Sequence, residues 1–457
     1  MKKSIIIVAL LLVVIAILPV VGNSYMKTTL DERVNELNAF GLQSKTDETS
    51  SSYLNTSRHL EFLLNDSEAF ISYLNQFSDQ QIPPYVHALV ENVLLGVDIS
   101  YSNLPFAKSI KVDIYPLALS KDAATSISKD DLDFSKYLSK FLESKGIFYH
   151  MEFNLLNDDF SGYLKDINEK YTFKDGLQLD ISLVDTKFSG NGSLVAPKVI
   201  NSGIKSLKMY VENNNTSLYL TFNNLTGTSN FNSKNTYLTS GSMDSFNIVL
   251  TGSDADANVS MDSLKYNGSS NDQGETTELN TKLSFDSFKY HSKIDNFELE
   301  KFTFDLGING LDKDTYSSFV TLISKNSVQP QQQVDAVRQS AIELLAKGLT
   351  LNIAEFSIKK VNLEKLGTTK GFKIESKFVV KADPDMGQKI EYSPMVALQN
   401  IEIQTKMKLA NELYVILLQV NPMLNALSSY AKKESNSVLF DIDFKDSKLT
   451  INGKKLN

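Results

Sequence analysis

The sequence carries few residues of the types that ligate metals or activate nucleophiles. Its four histidines are His59, His87, His150 and His291. They form no H-x-H pair, no HExxH motif and no pair four residues apart, so their spacing gives no support to a metal site. The chain has no cysteine, which removes thiol nucleophiles and cysteine zinc sites from consideration. We expect ordinary histidines, with His150 and His291 facing solvent near strand ends.

The serines and carboxylates form no catalytic motif either. No G-x-S-x-G elbow occurs, and SGNGS at 189–193 is a glycine and serine turn. No glycine-rich phosphate loop follows a strand. Three pairs of acids lie close in sequence, namely Asp158 with Asp159, Asp254 with Asp256, and Asp383 with Asp385. None of these pairs continues into a calcium loop. The sequence therefore assigns no catalytic, cofactor-binding or metal-binding residue, and it implies no cofactor.

Composition limits the class of protein. The 457 residues are 42% hydrophobic, enough for a large core, and 22% charged with a formal net charge of −8. This balance argues against a nucleic-acid partner, which would require lysine and arginine concentrated on one face. Because cysteine is absent, stability must come from packing and strand pairing. The abundant Asn, Ser and Asp residues suit the turns of a β-rich protein.

The N-terminal stretch predicts a location. Residues 5–21 (IIIVALLLVVIAILPVV) carry no charge and follow Lys2 and Lys3. Such a run is at the lower limit for crossing a bilayer, and the lysines favour a cytoplasmic N-terminus. A signal peptide cleaved after Gly22 is the alternative, although the apolar run is long for one. We expect a single-pass bacterial inner-membrane protein with its body in the periplasm.

Periodicity predicts the elements behind this stretch. Helical spacing predicts helices at 26–40, 60–77, 130–144, 312–324, 331–346 and 409–432. Strand-like alternation marks 99–119, 349–360, 371–382 and a terminal hairpin, whereas 42–58 is a loop or an edge strand. From 147 to 310, short alternating runs recur between turn residues, which predicts an antiparallel meander.

The expected fold class is α+β. An N-terminal transmembrane helix precedes a β-rich body, in which an extended, curved antiparallel sheet packs against a few helices. The expected segments are an anchor at 1–24, a stalk helix and α/β region at 25–146, the meander at 147–310, and an α+β region at 311–457 that ends in a β-hairpin.

An ordered set of motifs resembles a known family. The N-terminal apolar stretch is followed by LYLTFNNLTG (218–227), FTFDLGINGLDKDTYSSF (302–319), LTLNIAEFSI (349–358) and FDIDFKDSKLTINGKKL (440–456). In this order the segments resemble the YdgA-like bacterial envelope proteins, a domain of unknown function, over the anchor and roughly residues 180–457. The resemblance implies an inner-membrane protein with a periplasmic β-rich body. It implies no catalytic residues.

The apolar face of the predicted sheet leads to the functional hypotheses. Either the predicted helices cover this face and make an ordinary core, which the amount of helix favours, or part of it stays open as a groove for acyl chains. We therefore expect a non-enzymatic binding or scaffold module that self-associates through unpaired sheet edges. A lipid-binding or hydrophobic-ligand-binding or transfer module is the alternative, and a periplasmic hydrolase is the third reading.

Overall fold

The structure is a computed structural model, and it describes residues 26–75, 90–104, 109–193, 196–213, 215–233, 236–252, 256–324, 330–364, 367–392, 397–420 and 422–456. Strands account for 61% of it. The chain divides into two compact units, Met1–Leu207 and Lys208–Asn457. The expected division into four segments is a different partition of the chain and stays a prediction.

The expected fold class needs correction. The protein is mostly antiparallel β-sheet rather than α+β. Among the described residues, no helix is both long enough and apolar enough to cross a bilayer. The transmembrane helix predicted at 1–24 lies outside the described residues. The structure thus gives no support to an N-terminal membrane helix, nor to a single-pass inner-membrane protein with a periplasmic body.

The first unit is built on an antiparallel sheet with the order β1–β2–β3–β4–β5–β6–β8. Its strands are β1 Leu42–Ser51, β2 Asn55–Leu64, β3 Leu94–Ser102, β4 Ser109–Ala118, β5 Tyr149–Asn154, β6 Asp159–Leu164, β7 Ile167–Thr172 and β8 Gln178–Ser193. β7 pairs with the first half of β8, and β6 with the second half. A ninth strand, β9 (Ala196–Asn213), runs across the boundary between the units.

In the described part of the first unit, helices run over 26–39 (α1), Ser67–Asn75 (α2), Lys121–Asp130 (α3) and Leu132–Glu143 (α4). Val34 of α1 packs with Leu60 and Phe62 of β2 and with Ile99 of β3 in the main core cluster. Asp131 caps α4, because its side chain accepts hydrogen bonds from the backbone N–H groups of Asp133 and Phe134. The helices predicted at 26–40 and 130–144 are thereby confirmed.

The helix predicted at 60–77 is wrong in its first part. Residues up to Leu64 belong to β2, and α2 begins only at Ser67. Burial alternates along β2, so that Leu60, Phe62 and Leu64 face the core while His59 and Glu61 face the other side. Leu60, Leu63 and Leu64 also fit a helical spacing, and this ambiguity misled the periodicity argument.

The second unit is a long antiparallel meander. Its first strands are β10 Thr216–Ser233, β11 Thr236–Gly252, β12 Ala257–Gln273, β13 Thr276–Ser292 and β14 Asn296–Asp312, followed by helices α5 Lys313–Ser324 and α6 Pro330–Ala346. Next come β15 Leu349–Leu363, β16 Gly367–Val380, α7 Met386–Tyr392, a 3-10 turn Leu398–Asn400 and β17 Ile401–Ala410. The chain ends with α8 Asn411–Val420, a 3-10 segment Pro422–Tyr430, β18 Lys432–Lys433, β19 Ser437–Lys445, β20 Lys448–Ile451 and β21 Lys454–Lys455.

Strand order in the second unit follows the chain with one exception. Each strand from β10 to β17 pairs with the next, β17 pairs with β19, and β19 pairs with both β18 and β20. The predicted meander, the strand pair formed by β15 and β16, the helices at 312–324 and 331–346 and the terminal hairpin are confirmed. The helix predicted at 409–432 is corrected: its first residues end β17, and its second half is a 3-10 segment.

Candidate functional site: the apolar face of the second unit

One face of the second sheet carries a continuous row of apolar side chains. Directly paired residues in an antiparallel sheet point to the same face. Following the pairs across six strands gives a first apolar row of Phe285, Phe302, Ile358, Phe372, Leu409 and Val438, and Met243 pairs with Leu264 on β11 and β12. The sheet register therefore brings residues more than 150 positions apart in the chain into one line.

Two further rows flank the first one. The second apolar row consists of Tyr266, Leu283, Phe304, Phe356, Ile374, Met407 and Phe440, and the third of Phe222, Phe246, Met261, Phe288, Leu299 and Val361. Neighbouring rings are in contact: the ring centroids of Phe285 and Phe302 lie 4.7 Å apart, and those of Phe356 and Phe372 lie 5.1 Å apart. We call the three rows together the apolar face.

Between the first and third rows the alternation of the strands shifts by one residue. The ring centroids of Phe285 and Phe288 lie 6.1 Å apart, although strict alternation would put residues three apart on opposite faces. The shift coincides with left-handed backbone at Asn224, Ser263 and Lys301, which have φ of 49°, 57° and 56° on every second strand. These left-handed residues mark the points at which the apolar face continues across the change of alternation.

Among the described residues, helices cover the apolar face at one end. Over β16, β17 and β19, α8 and the 3-10 segment pack on it, and Leu409, Val438 and Phe440 are buried there. Over β10 to β13, Phe222, Phe246 and Phe288 are partly buried, and Met243 on β11 is buried. The sequence favoured a fully covered face, and this part of the sheet leaves some of its apolar side chains partly accessible.

The covered end contains an apolar cavity of about 190 Å³. Its lining consists of Phe372, Ile374, Met407, Leu409, Tyr414, Leu417, Leu427 and Phe440. Tyr414 is 8% exposed, and its hydroxyl has no hydrogen-bond partner among the described residues. Burial raises the pKa of this hydroxyl, so it stays protonated. Phe372 belongs both to this lining and to the first apolar row, so the cavity adjoins the apolar face.

Two of the four histidines lie on the sheet of the first unit, each beside an aspartate. The Nδ1 atom of His59 lies 2.6 Å from Asp98 Oδ1, and that of His150 lies 2.6 Å from Asp113 Oδ1. The predicted solvent-facing position of His150 is wrong, because its side chain is only 20% exposed. His291 is exposed, as expected, and His87 lies outside the described residues.

The negative charge of Asp98 is balanced by hydrogen-bond donors and a cation packed around it. Asp98 Oδ2 accepts hydrogen bonds from the Tyr115 hydroxyl at 2.9 Å and from Lys145 Nζ at 2.8 Å. The Lys145 ammonium also lies 3.8 Å from the centre of the Tyr115 ring. Burial opposes ionisation of Asp98, but the bonds from Lys145, His59 and Tyr115 outweigh it and lower the pKa of this carboxyl. With three donors on one carboxylate, the arrangement is that of a structural ion cluster.

The acidic pairs singled out in the sequence serve local turns. Asp159 accepts a hydrogen bond from Asn191 Nδ2, and Asp256 accepts one from the backbone N–H of Gly252. Asp383 binds Lys389 Nζ at 2.5 Å and also accepts from Asn400. Asp254 lies outside the described residues. No group of three acids or histidines in the described ranges is arranged to hold a metal ion.

The sequence offered the apolar side of the sheet as one possible groove, but it did not identify the residues that form the apolar face or the cavity. The period-two pattern indicated that each strand has an apolar side, but the alignment of nine strands depends on their register. A buried tyrosine hydroxyl without a partner has no sequence signature. The meander is rich in phenylalanine and tyrosine, but this enrichment is compatible both with a core covered by helices and with an open apolar face.

Comparison with protein families gives one match. The model of a family described as a bacterial protein of unknown function (DUF945) matches residues 163–457, well over half of the chain. No curated protein matches the sequence. The matched segment contains every residue of the apolar face and of the cavity, whereas the histidine–aspartate pairs all lie before it.

Proposed function

We propose that this chain, which belongs to the DUF945 family of bacterial proteins of unknown function, is a non-enzymatic binding module that takes up the acyl chain of an amphiphile on its apolar face. The observation that carries the proposal is the partial exposure of Phe222, Phe246 and Phe288 over β10 to β13. A contiguous apolar surface of this kind costs free energy in water, and such surfaces commonly mark binding sites.

The size of the effect follows from the area that a chain would cover. Transferring one methylene group from water to an apolar surface contributes about 0.8 kcal/mol. An acyl chain with six to eight methylene groups in contact with the apolar face would gain on the order of 5 kcal/mol of binding free energy before the costs of association are subtracted. The aromatic side chains add polarisable surface at little entropic cost, because each has only two side-chain torsions.

Two finer points belong to the same proposal. The ordered motifs at 218–227, 302–319 and 440–456 favour a place among the YdgA-like members of the family. The chemistry favours a binding protein over a hydrolase, since His59, His150 and Asp383 are engaged in internal ion pairs.

Native mass spectrometry of the full chain tests the proposal. We expect a bound mass in the range of an acyl lipid that is lost on organic extraction. The variant Phe288→Lys puts a charge on the apolar face and should lose that mass, whereas His291→Lys, on the opposite face of the same strand, should retain it. An apo mass for the wild type, or loss of the ligand in both variants alike, would refute this function.

Self-association through a sheet edge is the second candidate. β1 has one described pairing, with β2, and most of its side chains are exposed. Such an edge offers unpaired backbone groups to another strand, although Lys45, Asp47 and Glu48 oppose close pairing of two copies. A dimer whose population rises with concentration, and falls in Glu48→Pro, would favour this scaffold role.

A further inference from the structure

Two hairpin turns of the first unit carry exposed apolar side chains at their apices. Tyr53 and Leu54, between β1 and β2, are 56% and 48% exposed, and Leu155 and Leu156, between β5 and β6, are 46% and 61% exposed. Glycine, proline, asparagine, aspartate and serine are the usual residues of such turns. These four residues, which we call the apolar tips, are four of the seven exposed large apolar side chains in the described part of this unit.

The strand register brings both turns to the same end of the sheet. β2 begins and β3 ends at the pair Asn55–Ser102, and β4 begins and β5 ends at the pair Ser109–Asn154. Since β3 and β4 are antiparallel neighbours, these two pairs lie at one end. Adjacent strands are about 4.8 Å apart, so the two turns lie roughly 20 Å from each other along this end.

The polar groups of the first turn are satisfied within the protein. The backbone N–H of Ser52 donates to the carbonyl of Asn55 at 2.8 Å, and the backbone N–H of Asn55 donates to the Ser52 hydroxyl at 3.1 Å. Asn103 is 2% exposed, and its backbone N–H donates to the carbonyl of Leu54 at 2.7 Å. These groups do not depend on water, so this turn can leave water at little cost.

The second turn is held in the same manner. The backbone N–H of Leu156 donates to Asn154 Oδ1 at 3.0 Å, and Asn191 Nδ2 donates to the carbonyl of Asn157 at 2.7 Å. The turn is thereby fixed to β8, while its two leucine side chains stay exposed.

Charge and spacing indicate the kind of partner. Residues 52–55 and 155–158 include no lysine or arginine, and Asp158 is their one charged residue. A stable protein interface covers roughly 800 Å² of contiguous surface on each partner. Two small apolar projections about 20 Å apart do not form such a patch. An extended and deformable lipid surface can contact both at once.

We propose that the apolar tips dock the protein on a lipid surface, with Tyr53, Leu54, Leu155 and Leu156 entering the boundary between headgroups and acyl chains. Tyrosine suits this boundary, because its ring is apolar and its hydroxyl is polar. Without lysine or arginine on the turns, the surface that fits best carries no net charge. This inference does not rest on the proposed function, since it concerns how the first unit contacts lipid and not which face holds an acyl chain.

A single fluorophore on one apolar tip tests the proposal. Because the chain has no cysteine, Leu156→Cys in the full chain gives one site for an environment-sensitive dye. Lys165→Cys, at an exposed position just past the other end of β6, is the matched control. With phosphatidylcholine vesicles, we expect blue-shifted emission, and quenching by lipids spin-labelled on the acyl chain, for the dye at position 156 but not at position 165.

A second substitution tests whether both turns contact the same surface. Leu54→Asp, added to the chain labelled at position 156, should weaken the vesicle affinity measured from this quenching by about tenfold, because a carboxylate would have to enter the lipid boundary. An unchanged urea midpoint would show that the fold is intact. Unchanged quenching in this intact variant would overturn docking through both turns.

Three results with the single-cysteine variants would overturn the proposal. The first is the absence of a shift at position 156, and the second is an equal shift at positions 156 and 165. The third is a shift at position 156 that depends on protein concentration and needs no vesicles, which would identify a second copy of the chain as the partner of the apolar tips. In each case the lipid mass experiment still decides the acyl-binding function by itself.

Discussion

Truncating one phenylalanine in each region of the apolar face separates the covered part from the open part. Phe440 is 3% exposed and sits beneath α8 and the 3-10 segment. Phe440→Ala should lower the free energy of unfolding by about 3–5 kcal/mol, the usual cost of emptying a buried phenylalanine site. Phe288 contacts Phe285 and Phe297 beside it, with ring centroids at 6.1 and 5.8 Å, and remains half-buried.

Phe288→Ala should therefore cost only about 1–2 kcal/mol, because the lateral contacts are lost but no enclosed cavity forms. The assay is urea unfolding of the full chain at 25 °C, followed by far-ultraviolet circular dichroism and compared between the two variants through midpoint and slope. An added acyl amphiphile should raise the midpoint of the wild type by mass action, and less so that of Phe288→Ala. Equal costs for the two truncations would mean that β13 is covered as fully as β19, and the reasoning for an open binding face would fail.

Three further outcomes are expected in the first unit. Ser120→Ala removes the side-chain oxygen that caps α3 through the backbone N–H of Ala123, and should cost about 0.5–2 kcal/mol in the same urea assay; an unchanged midpoint would contradict the cap. Gly96→Ala places a methyl group 2.4 Å from the Tyr115 ring, so it should destabilise by about 1–3 kcal/mol in the urea assay, and an unchanged midpoint would contradict this contact. The folded pKa of Asp98 is lowered, so its contribution to stability is present above the unfolded value near 3.9 and is lost as pH falls through the folded value; Asp98→Asn should thus flatten the acid limb of thermal stability below about pH 4, and an identical limb would refute the assignment.

Local pattern and long-range register contribute differently to what the sequence reveals. Alternation in FTFDLGING and turn residues between the runs were enough to predict the strands of the second unit, and strong apolar spacing predicted α4. α3 was missed because KDAATSISKD has almost no apolar face and buries no residue. The second half of β2, from Leu60 to Leu64, was misread because its leucines fit both periods.

The candidate site required information that no local pattern holds. That Phe285 and Val438 belong to one row follows from five successive pairings, each set by its own connection between strands. Whether helices cover a given stretch of the face depends on where α5, α6 and α8 dock, and amphipathic spacing does not specify the surface that a helix will choose. The Tyr414 hydroxyl is buried without a hydrogen-bond partner among the described residues, and this follows from the packing of α8 on the sheet rather than from any local sequence pattern.

The left-handed residues Asn224, Ser263 and Lys301 have a consequence for how such a sheet can grow. They occur on β10, β12 and β14, so the structural repeat is a pair of strands and not a single strand. Inserting a single strand would place two strands with a left-handed residue, or two strands without one, side by side, and this would interrupt the aromatic rows. Duplicating a hairpin adds one strand of each kind, so it keeps both the antiparallel chain direction and the alternation of the two kinds of strand. The width of the proposed ligand surface would then change in steps of one hairpin. Gain or loss of hairpins would be the simplest route to relatives that bind longer or shorter acyl chains.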